Sequence, residues 1–503
     1  MDVINNLFMG FQTALTAQNI FLCFIGCLWG TIVGVLPGIG PLAGTMLLIP
    51  LTYNLSATSA IIMLAGIFYG GMYGGSTTSI LMNIPGESAS VITCLDGYQM
   101  TKKGRAGAAL FIAAWGSWIG GSLSVVGLML LAPVLADFAM KFGPPEMFAV
   151  LLMAFFLCGS LETGSFLKAM AMTTLGLLLG TIGMDTISGT FRFTFGVREL
   201  YDGLGFVPVA MGAFGLGEIF ISLEESVNRD VYKPRFRELF PNRQELRASM
   251  GPIFRGTGIG FGIGLLPGAA HILSTFVSYV VEKRLAKRPE EFGTGRIEGV
   301  AGPETANNAT TGASMIPALA LGIPTNPGMA IFLMALLLHG VAPGPLLIPN
   351  QPEVFWGLIA SMYVGNVILI ILNVPLVGLF VSILRVPFTL LFPMILLICL
   401  VGIYTLNSST FEMMVLLVAG LLGYFFRKFN YNLAPFILAL IIGPRLEEAL
   451  RQSLMSSGGS FVIFWERPIA LVFIILSFLI FAWNVFRMIR PKRDLKDEVL
   501  EKS

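Results

Sequence analysis

The chain has 503 residues, of which 55% are hydrophobic and 12% charged, with a mean hydropathy of +0.81. A soluble core of this size cannot hide that much apolar surface, so a freely soluble domain is excluded and the chain must sit in a bilayer. The formal net charge of +2 argues against a nucleic-acid partner.

No Lys or Arg precedes Lys102. The basic start of a signal peptide is therefore missing, and the N-terminal region has no charge-based reason to face the cytoplasm. The first unusual stretch is GVLPGIGPLAG, Gly34 to Gly44, a helix breaker inside an apolar run. It is followed by GGSTTSILMNIPGESAS, Gly74 to Ser90, where a Gly/Ser/Thr-rich helix ends at Ile84-Pro85. Apolar runs then recur at Ala106 to Ala136, Met147 to Leu161, Phe206 to Leu223, Gly256 to Val281, Thr310 to Leu338, Val354 to Leu384, Val386 to Leu406, Phe411 to Phe426 and Pro468 to Phe486. Measured against the roughly 18 or more residues that cross a bilayer, they predict an all-α polytopic membrane protein of about twelve membrane segments.

The breaker returns as GLLPGAAHILS, Gly264 to Ser274, and the Gly/Ser/Thr-rich helix returns as NATTGASMIPALALGIPTNPGMA, Asn308 to Ala330, ending at Ile323-Pro324. Tip and break lie 48 residues apart in the first copy and 57 in the second, and the charged insert Glu282 to Glu298 absorbs the nine extra residues. Basic residues flank Gly256 to Val281 on both sides, with seven between Arg229 and Arg255 and five between Lys283 and Arg296; six more lie between Arg487 and Lys502. By the positive-inside rule all three groups are cytoplasmic. The stretch between the first two then reads as a re-entrant hairpin with its tip at Leu266-Pro267-Gly268 and arms of about 10 and 13 residues. A single tilted helix kinked at Pro267 is the competing reading.

Two halves with matching interrupted segments are the pattern of a secondary transporter whose repeats meet at a midplane site. Because only the second copy has basic flanks, the repeats are expected to be inverted. The predicted organisation is a first repeat over 1–222 (tip 36–38, break 84–86), a basic linker over 223–255, a second repeat over 256–450 (tip 266–268, break 323–325), and a C-terminal helix and basic tail over 451–503.

Interrupted helices aim free backbone N–H groups and half-helix dipoles at an anion, and small residues let it approach. On this reasoning the substrate residues are Pro37, Gly38, Ser76, Thr77, Asn83 and Gly86 in the first copy, and Pro267, Gly268, Asn308, Thr311, Pro324 and Thr325 in the second. Freed carbonyls with hydroxyl and amide oxygens suit Na⁺, for which Gly38, Thr78, Asn307 and Thr310 are the candidates. The same small residues also make helix-packing surfaces. Glu304 is expected near the interface, as a solvated or capping carboxylate or an ion-coupling residue. Glu87 is either a coupling residue or points away, the second being favoured, and Asp96 is placed in an Asp96-Gly97 turn. His271 follows the second tip and is read as donating to nearby backbone; His339 looks peripheral. Cys23, Cys27, Cys94, Cys158 and Cys399 lie in apolar surroundings without metal-ligand spacing.

The stretches GGMYGGSTTSILMNIPGE (Gly70 to Glu87), DGYQMTKKG (Asp96 to Gly104) and EKRLAKRPEEFGTGRIEGVAGPETANNATTGASMIPALALGIP (Glu282 to Pro324), with both LPG tips, resemble the large membrane subunit of tripartite tricarboxylate transporters. The resemblance covers about Phe21 to Leu450. It implies import of a carboxylate across the bacterial inner membrane with Na⁺ or H⁺ as coupling ion and no other cofactor. The implied partners are a small membrane subunit of about four helices and a periplasmic solute-binding protein, and an oligomer is compatible with it. The family handles citrate, dicarboxylates and aromatic acids. After the second Ile-Pro this chain has Thr325-Asn326-Pro327-Gly328, where many relatives have a plainer Gly/Ser sequence.

Two rival classes exist. An intramembrane aspartyl protease would need facing acids, but Asp202 and Glu218 are only 16 residues apart and the second is Glu, so an enzyme is not expected. A passive channel built from re-entrant hairpins is the stronger alternative. For the carrier, the expectation is an elevator-type motion of the hairpins against a scaffold that includes Gly116 to Gly127 and the C-terminal third.

Overall fold

A computed structural model describes residues 3–36, 40–160, 166–185, 187–224, 236–266, 270–383 and 388–489. Both predicted tips, Pro37-Gly38 and Pro267-Gly268, lie outside the described residues. The described chain is almost entirely helical. It starts with α1 (Val3–Ala14), α2 (Ala17–Val35), α3 (Gly40–Leu48), α4 (Ala57–Met82), α5 (Val91–Lys102) and the long α6 (Ala106–Ala139). Next come α7 (Pro144–Ser160), α8 (Phe166–Gly180), a small antiparallel hairpin of β1 (Gly183–Met184) and β2 (Phe191–Arg192), α9 (Phe206–Ala210) and α10 (Gly217–Glu224). The second half runs through α11 (Arg243–Gly264), α12 (Ala270–Leu285), α13 (Glu298–Leu321), α14 (Pro327–Leu338), α15 (Leu347–Asn350) and α16 (Pro352–Asn373). It ends with α17 (Val377–Ile383), α18 (Phe388–Asn407), α19 (Thr410–Lys428), α20 (Ala434–Ser456), α21 (Ile463–Glu466) and α22 (Pro468–Ile489).

Six described helices are long and apolar enough to cross a membrane: Ala17–Val35, Ala57–Met82, Ala106–Ala139, Pro352–Asn373, Thr410–Lys428 and Pro468–Phe486. Five more apolar segments are shorter: Gly40–Thr52, Pro144–Phe156, Leu167–Gly180, Phe206–Ile221 and Pro327–Leu338. The described residues thus offer six full-length spans and five shorter apolar segments. Helix α4 is buried on nearly all sides whereas α22 is largely exposed, which makes α4 central and α22 peripheral.

At both predicted tips the flanking helices, α2 with α3 and α11 with α12, pack on each other. In the first, Trp29 Nε1 of α2 donates to the carbonyl of Gly44 on α3 at 3.0 Å, bridging the tip. In the second, Arg255 of α11 makes a two-pronged ion pair with Glu282 of α12, at 2.8 and 2.6 Å. That pair is possible only if the two helices run back along each other, which rules out the single kinked helix. The arms exceed the predicted lengths because Asn242 and Glu245 cap α11 reciprocally, so the helix begins well inside the basic linker.

Each hairpin packs on the broken helix that follows it, through glycines spaced by four. Gly26, Gly30 and Gly34 of α2 lie against the backbones of Met63, Ile67 and Gly71 on α4, 37 residues on in each case. Gly256, Gly260 and Gly264 of α11 lie against Gly302, Ala306 and Thr310 on α13, 46 residues on in each case. The difference is the nine residues of the insert. At these positions a Cβ would run into neighbouring backbone, so glycine is what lets the helices approach this closely.

Helix α6 packs against α13 and α11, and α16 against α1, α2, α4 and α6, giving one central body. Gly116 and Gly120 of α6 sit on Thr305, and Gly127 on Phe261. The glycine-rich span expected in the scaffold therefore packs directly onto the second broken helix. Helices α7, α8, α20 and α22 pack on one another and meet the central body at α14 and at Ile323 of the second break, and α19 packs on α9 and α10.

Candidate functional site

The two breaks have the same backbone. Helix α4 ends at Asn83 in the left-handed conformation (φ 59°, ψ 27°), and α13 ends at Gly322 in the same conformation (φ 69°, ψ 23°). Asn and Gly are the residues that tolerate it, and either stops a helix. Four residues later each chain is extended, at Glu87 (φ −144°, ψ 164°) and at Asn326 (φ −156°, ψ 168°), and each of these residues caps the next helical turn. Measured from the glycine ladder, Gly71 to Asn83 and Thr310 to Gly322 are both 12 residues, so ladder and break repeat in one register.

The breaks also contact each other's helices in matching fashion. Glu87 Oε1 of the first break accepts a hydrogen bond from Asn307 Nδ2 of α13 at 2.5 Å. Gly328, just beyond the second break, lies under the ring of Phe68 on α4. Phe68 occupies in the first copy the place that Asn307 occupies in the second, three residues before the ladder contacts Gly71 and Thr310. Each break thus touches the other half of the chain, at positions of α4 and α13 that correspond in the register of the ladders.

Glu304, one turn before Asn307 and Asn308, is buried with 1% exposure. Its Oε2 accepts from the Ser76 hydroxyl of α4 and its Oε1 from the Thr93 hydroxyl of α5. The interfacial placement expected for Glu304 is therefore wrong: it is enclosed by elements from both halves. Glu87 turns inward to Asn307 instead of away, because the extended backbone after Pro85 aims its side chain at α13. Asn308 Nδ2 donates to Ser117 Oγ of α6 at 2.7 Å. A small cavity alongside is lined by Tyr73, Ser76, Thr77, Leu110, Ala113, Ala114, Ser117 and Asn373.

The other predicted residues are distributed around this cluster. Thr78 donates to the Gly75 carbonyl at 3.1 Å and packs on Gly86, which is itself wedged between Gly34 and Gly75. Asn83 is exposed. Thr310 lies within 3.0 Å of the Gly260 carbonyl and 2.8 Å of Ser274 Oγ, so it fastens the second hairpin to α13. Thr311 Oγ1 is 3.3 Å from His271 Nε2, a side-chain contact in place of the expected backbone one. Pro324 and Thr325 are buried, with Thr325 Oγ1 3.3 Å from the Ser314 carbonyl. Of the four Na⁺ candidates, Gly38 lies outside the described residues, and Thr78, Asn307 and Thr310 turn to three different partners. Among the described residues no cluster of three or more His, Cys, Asp or Glu is arranged to hold a metal ion.

Asp96 lies within α5, not in a turn, and accepts from Tyr279 Oη at 2.9 Å and from the backbone N–H groups of Gly293, Gly295 and Arg296 at 2.7–3.0 Å. This acid holds the charged insert against α5. His339 Nε2 meets Thr52 Oγ1 at 2.9 Å, away from the breaks. The described cysteines Cys23, Cys27, Cys94 and Cys399 are buried free thiols, and the side chain of Cys158 lies outside the described set.

Sequence reasoning missed Thr93, Tyr73, Ser117 and Asn373, which carry no motif, and Arg445 of α20, whose Nη1 reaches the Gly322 carbonyl at 3.4 Å.

Residues 20–438 match the tripartite tricarboxylate transporter TctA family. An Agrobacterium vitis protein described as an uncharacterized 52.8 kDa protein in the TAR-I ttuC' 3' region is 48% identical over 494 residues, covering 98% of each chain. A second from the same organism, described as an uncharacterized protein in the TAR-II ttuC' 3' region, is 46% identical over 232 residues. That match covers 46% of this chain and 96% of the relative. No solved structure matches.

Proposed function

Since the chain belongs to the tripartite tricarboxylate transporter TctA family, we propose that it is the subunit that carries an organic carboxylate across the bacterial inner membrane. The carboxylate is delivered by a periplasmic solute-binding protein, a small membrane subunit completes the complex, and a Na⁺ or H⁺ gradient drives uptake. Multi-pass membrane character and the two partners follow from the family and the apolar helices. The remainder rests on one observation: two breaks of equal backbone, each seated on the other half of the chain.

That arrangement supports alternating access. Repeats that contact each other reciprocally can exchange two related conformations of similar energy, and inversion, argued from the one-sided basic flanks, would open the site to opposite faces. The hairpins, broken helices, α6 and α16 would move as a body against the group of α7, α8, α20 and α22, an elevator-type motion. Charge supports ion coupling. Glu87 and Glu304 both lie at the meeting of the halves, so an anion approaching them requires a cation to offset the repulsion. Arg445 at the second break is the group placed to receive a carboxylate, by a charge-assisted hydrogen bond.

Uptake of labelled carboxylates into proteoliposomes holding this chain and its small subunit, with the cognate binding protein, tests the reading. Accumulation that needs both the binding protein and an ion gradient is expected, and Arg445→Ala is expected to abolish it. Passive conductance without a binding protein would replace the carrier with a channel.

A further inference from the structure

We propose that Glu304, Ser76 and Thr93, together with the cavity beside them, form a binding site for a small monovalent cation, Na⁺ in the first instance. The role of that ion in coupling rests on the transport reading above, but the site itself stands on local geometry. Both carboxylate oxygens of Glu304 accept hydroxyl hydrogen bonds, from Thr93 and Ser76, and among the described residues no Lys, Arg or His pairs with it. A carboxylate sealed inside a membrane protein with only two hydroxyl partners is far from compensated, so it must be neutralised by a proton or by a cation.

Room decides between them. A proton needs no space, but Ser76, whose side chain donates to the carboxylate, also lines a small cavity of mixed polar and apolar wall. Tyr73 also lines it, is only 3% exposed, and its hydroxyl has no hydrogen-bond partner among the described residues. A buried hydroxyl without a partner signals a missing ligand. Thr77, Ser117 and Asn373 add polar side chains to a wall they share with Leu110, Ala113 and Ala114. The donors are hydroxyl, amide and carboxylate oxygens with no thiolate or imidazole, a set for a hard cation, and one carboxylate balances one positive charge. Because the site draws on α4, α5 and α6 from the first half and on Glu304 of α13 and Asn373 of α16 from the second, an ion bound there would tie the halves together.

Thermal unfolding of the purified full chain in detergent, without substrate, in NaCl, KCl or choline chloride at one ionic strength and pH, is the test. The midpoint is expected to rise saturably with Na⁺ and not with choline or K⁺. Glu304→Gln is expected to remove that dependence, and Thr93→Val to raise the half-saturating Na⁺ concentration about tenfold. If Glu304→Gln does not fold, Tyr73→Phe, which deletes only the unpartnered hydroxyl, should still weaken the Na⁺ response. Equal midpoints in the three salts overturn the site, and so does a Na⁺ effect undiminished in every variant. A midpoint that rises with falling pH and ignores Na⁺ makes Glu304 a proton carrier, which also overturns it. No carboxylate is present, so a chain that responds to Na⁺ as expected but takes up no carboxylate would refute the transport reading and leave the cation site standing.

Discussion

Helix α11 contains its own control for the way hairpins pack on broken helices. Gly256 and Gly260 lie against the backbones of Gly302 and Ala306, so an added methyl meets main chain that cannot rotate away. Gly258 and Gly262, on the other side of the same helix, have nothing within 4 Å of where a Cβ would be. Alanine gains about 0.8–1 kcal/mol over glycine in a helix interior, while forcing a methyl into a packed contact costs roughly 1–3 kcal/mol. Gly258→Ala and Gly262→Ala should therefore be neutral to stabilising by up to about 1 kcal/mol. Gly256→Ala and Gly260→Ala should be neutral to destabilising by up to about 2 kcal/mol. The quantity to measure is the difference within each neighbouring pair, from unfolding rates in one detergent, because irreversible unfolding makes rates the sounder comparison. Shifts of the same sign and size in Gly258→Ala and Gly260→Ala would show that α11 does not pack through its fourfold-spaced glycines.

Glu87 and Asn307 should be coupled: a double-mutant cycle with Glu87→Gln and Asn307→Ala is expected to give an interaction of about 0.5–3 kcal/mol, and strict additivity would separate the two halves at that point. Thr77 lines the cavity, so Thr77→Val, which deletes its hydroxyl, should change carboxylate or ion affinity roughly five- to hundredfold, the equivalent of about 1–3 kcal/mol, with little effect on stability. Unchanged uptake in that variant would assign Thr77 to helix packing. Outside the membrane, Arg451 and the N–H groups of Ile187 and Ser188 hold the Asp185 carboxyl well below the usual carboxylate range. A lowered folded value means that its hold on the β1–β2 hairpin is complete above the unfolded value of about 4 and is lost as pH falls further. Hydrogen exchange of the hairpin should show release on acidification in the wild type. Identical pH dependence in Asp185→Asn would exclude this acid as the fastener.

What was legible in the sequence was whatever the backbone demands. Ile-Pro alone does not stop a helix, since Ile316-Pro317 is carried through α13, but an Ile-Pro after Asn83 or Gly322, each left-handed, ends one; with the two Pro-Gly pairs this let both tips and both breaks be placed, and the nine-residue difference between the copies reappears in the glycine ladders. What was not legible was which side chains meet. Glu304 finds Ser76 and Thr93 across more than 200 residues of chain, and neither local pattern announces that an acid will be enclosed there. The placement of Glu304 near an interface followed from its closeness to a basic insert, but the insert is held by Asp96 on α5 and the helix leaves it directly into the protein. The comparison of the two breaks carries the point further. Glu87 and Asn326 stand at the same place with the same extended backbone, yet one is an acid and the other an amide, and the basic group, Arg445, reaches only the second break. Geometry has been kept in both halves while charge has been divided between them. A site used equally by both halves would keep its charges paired; one that takes a cation on the acidic side and an anion on the basic side needs them apart.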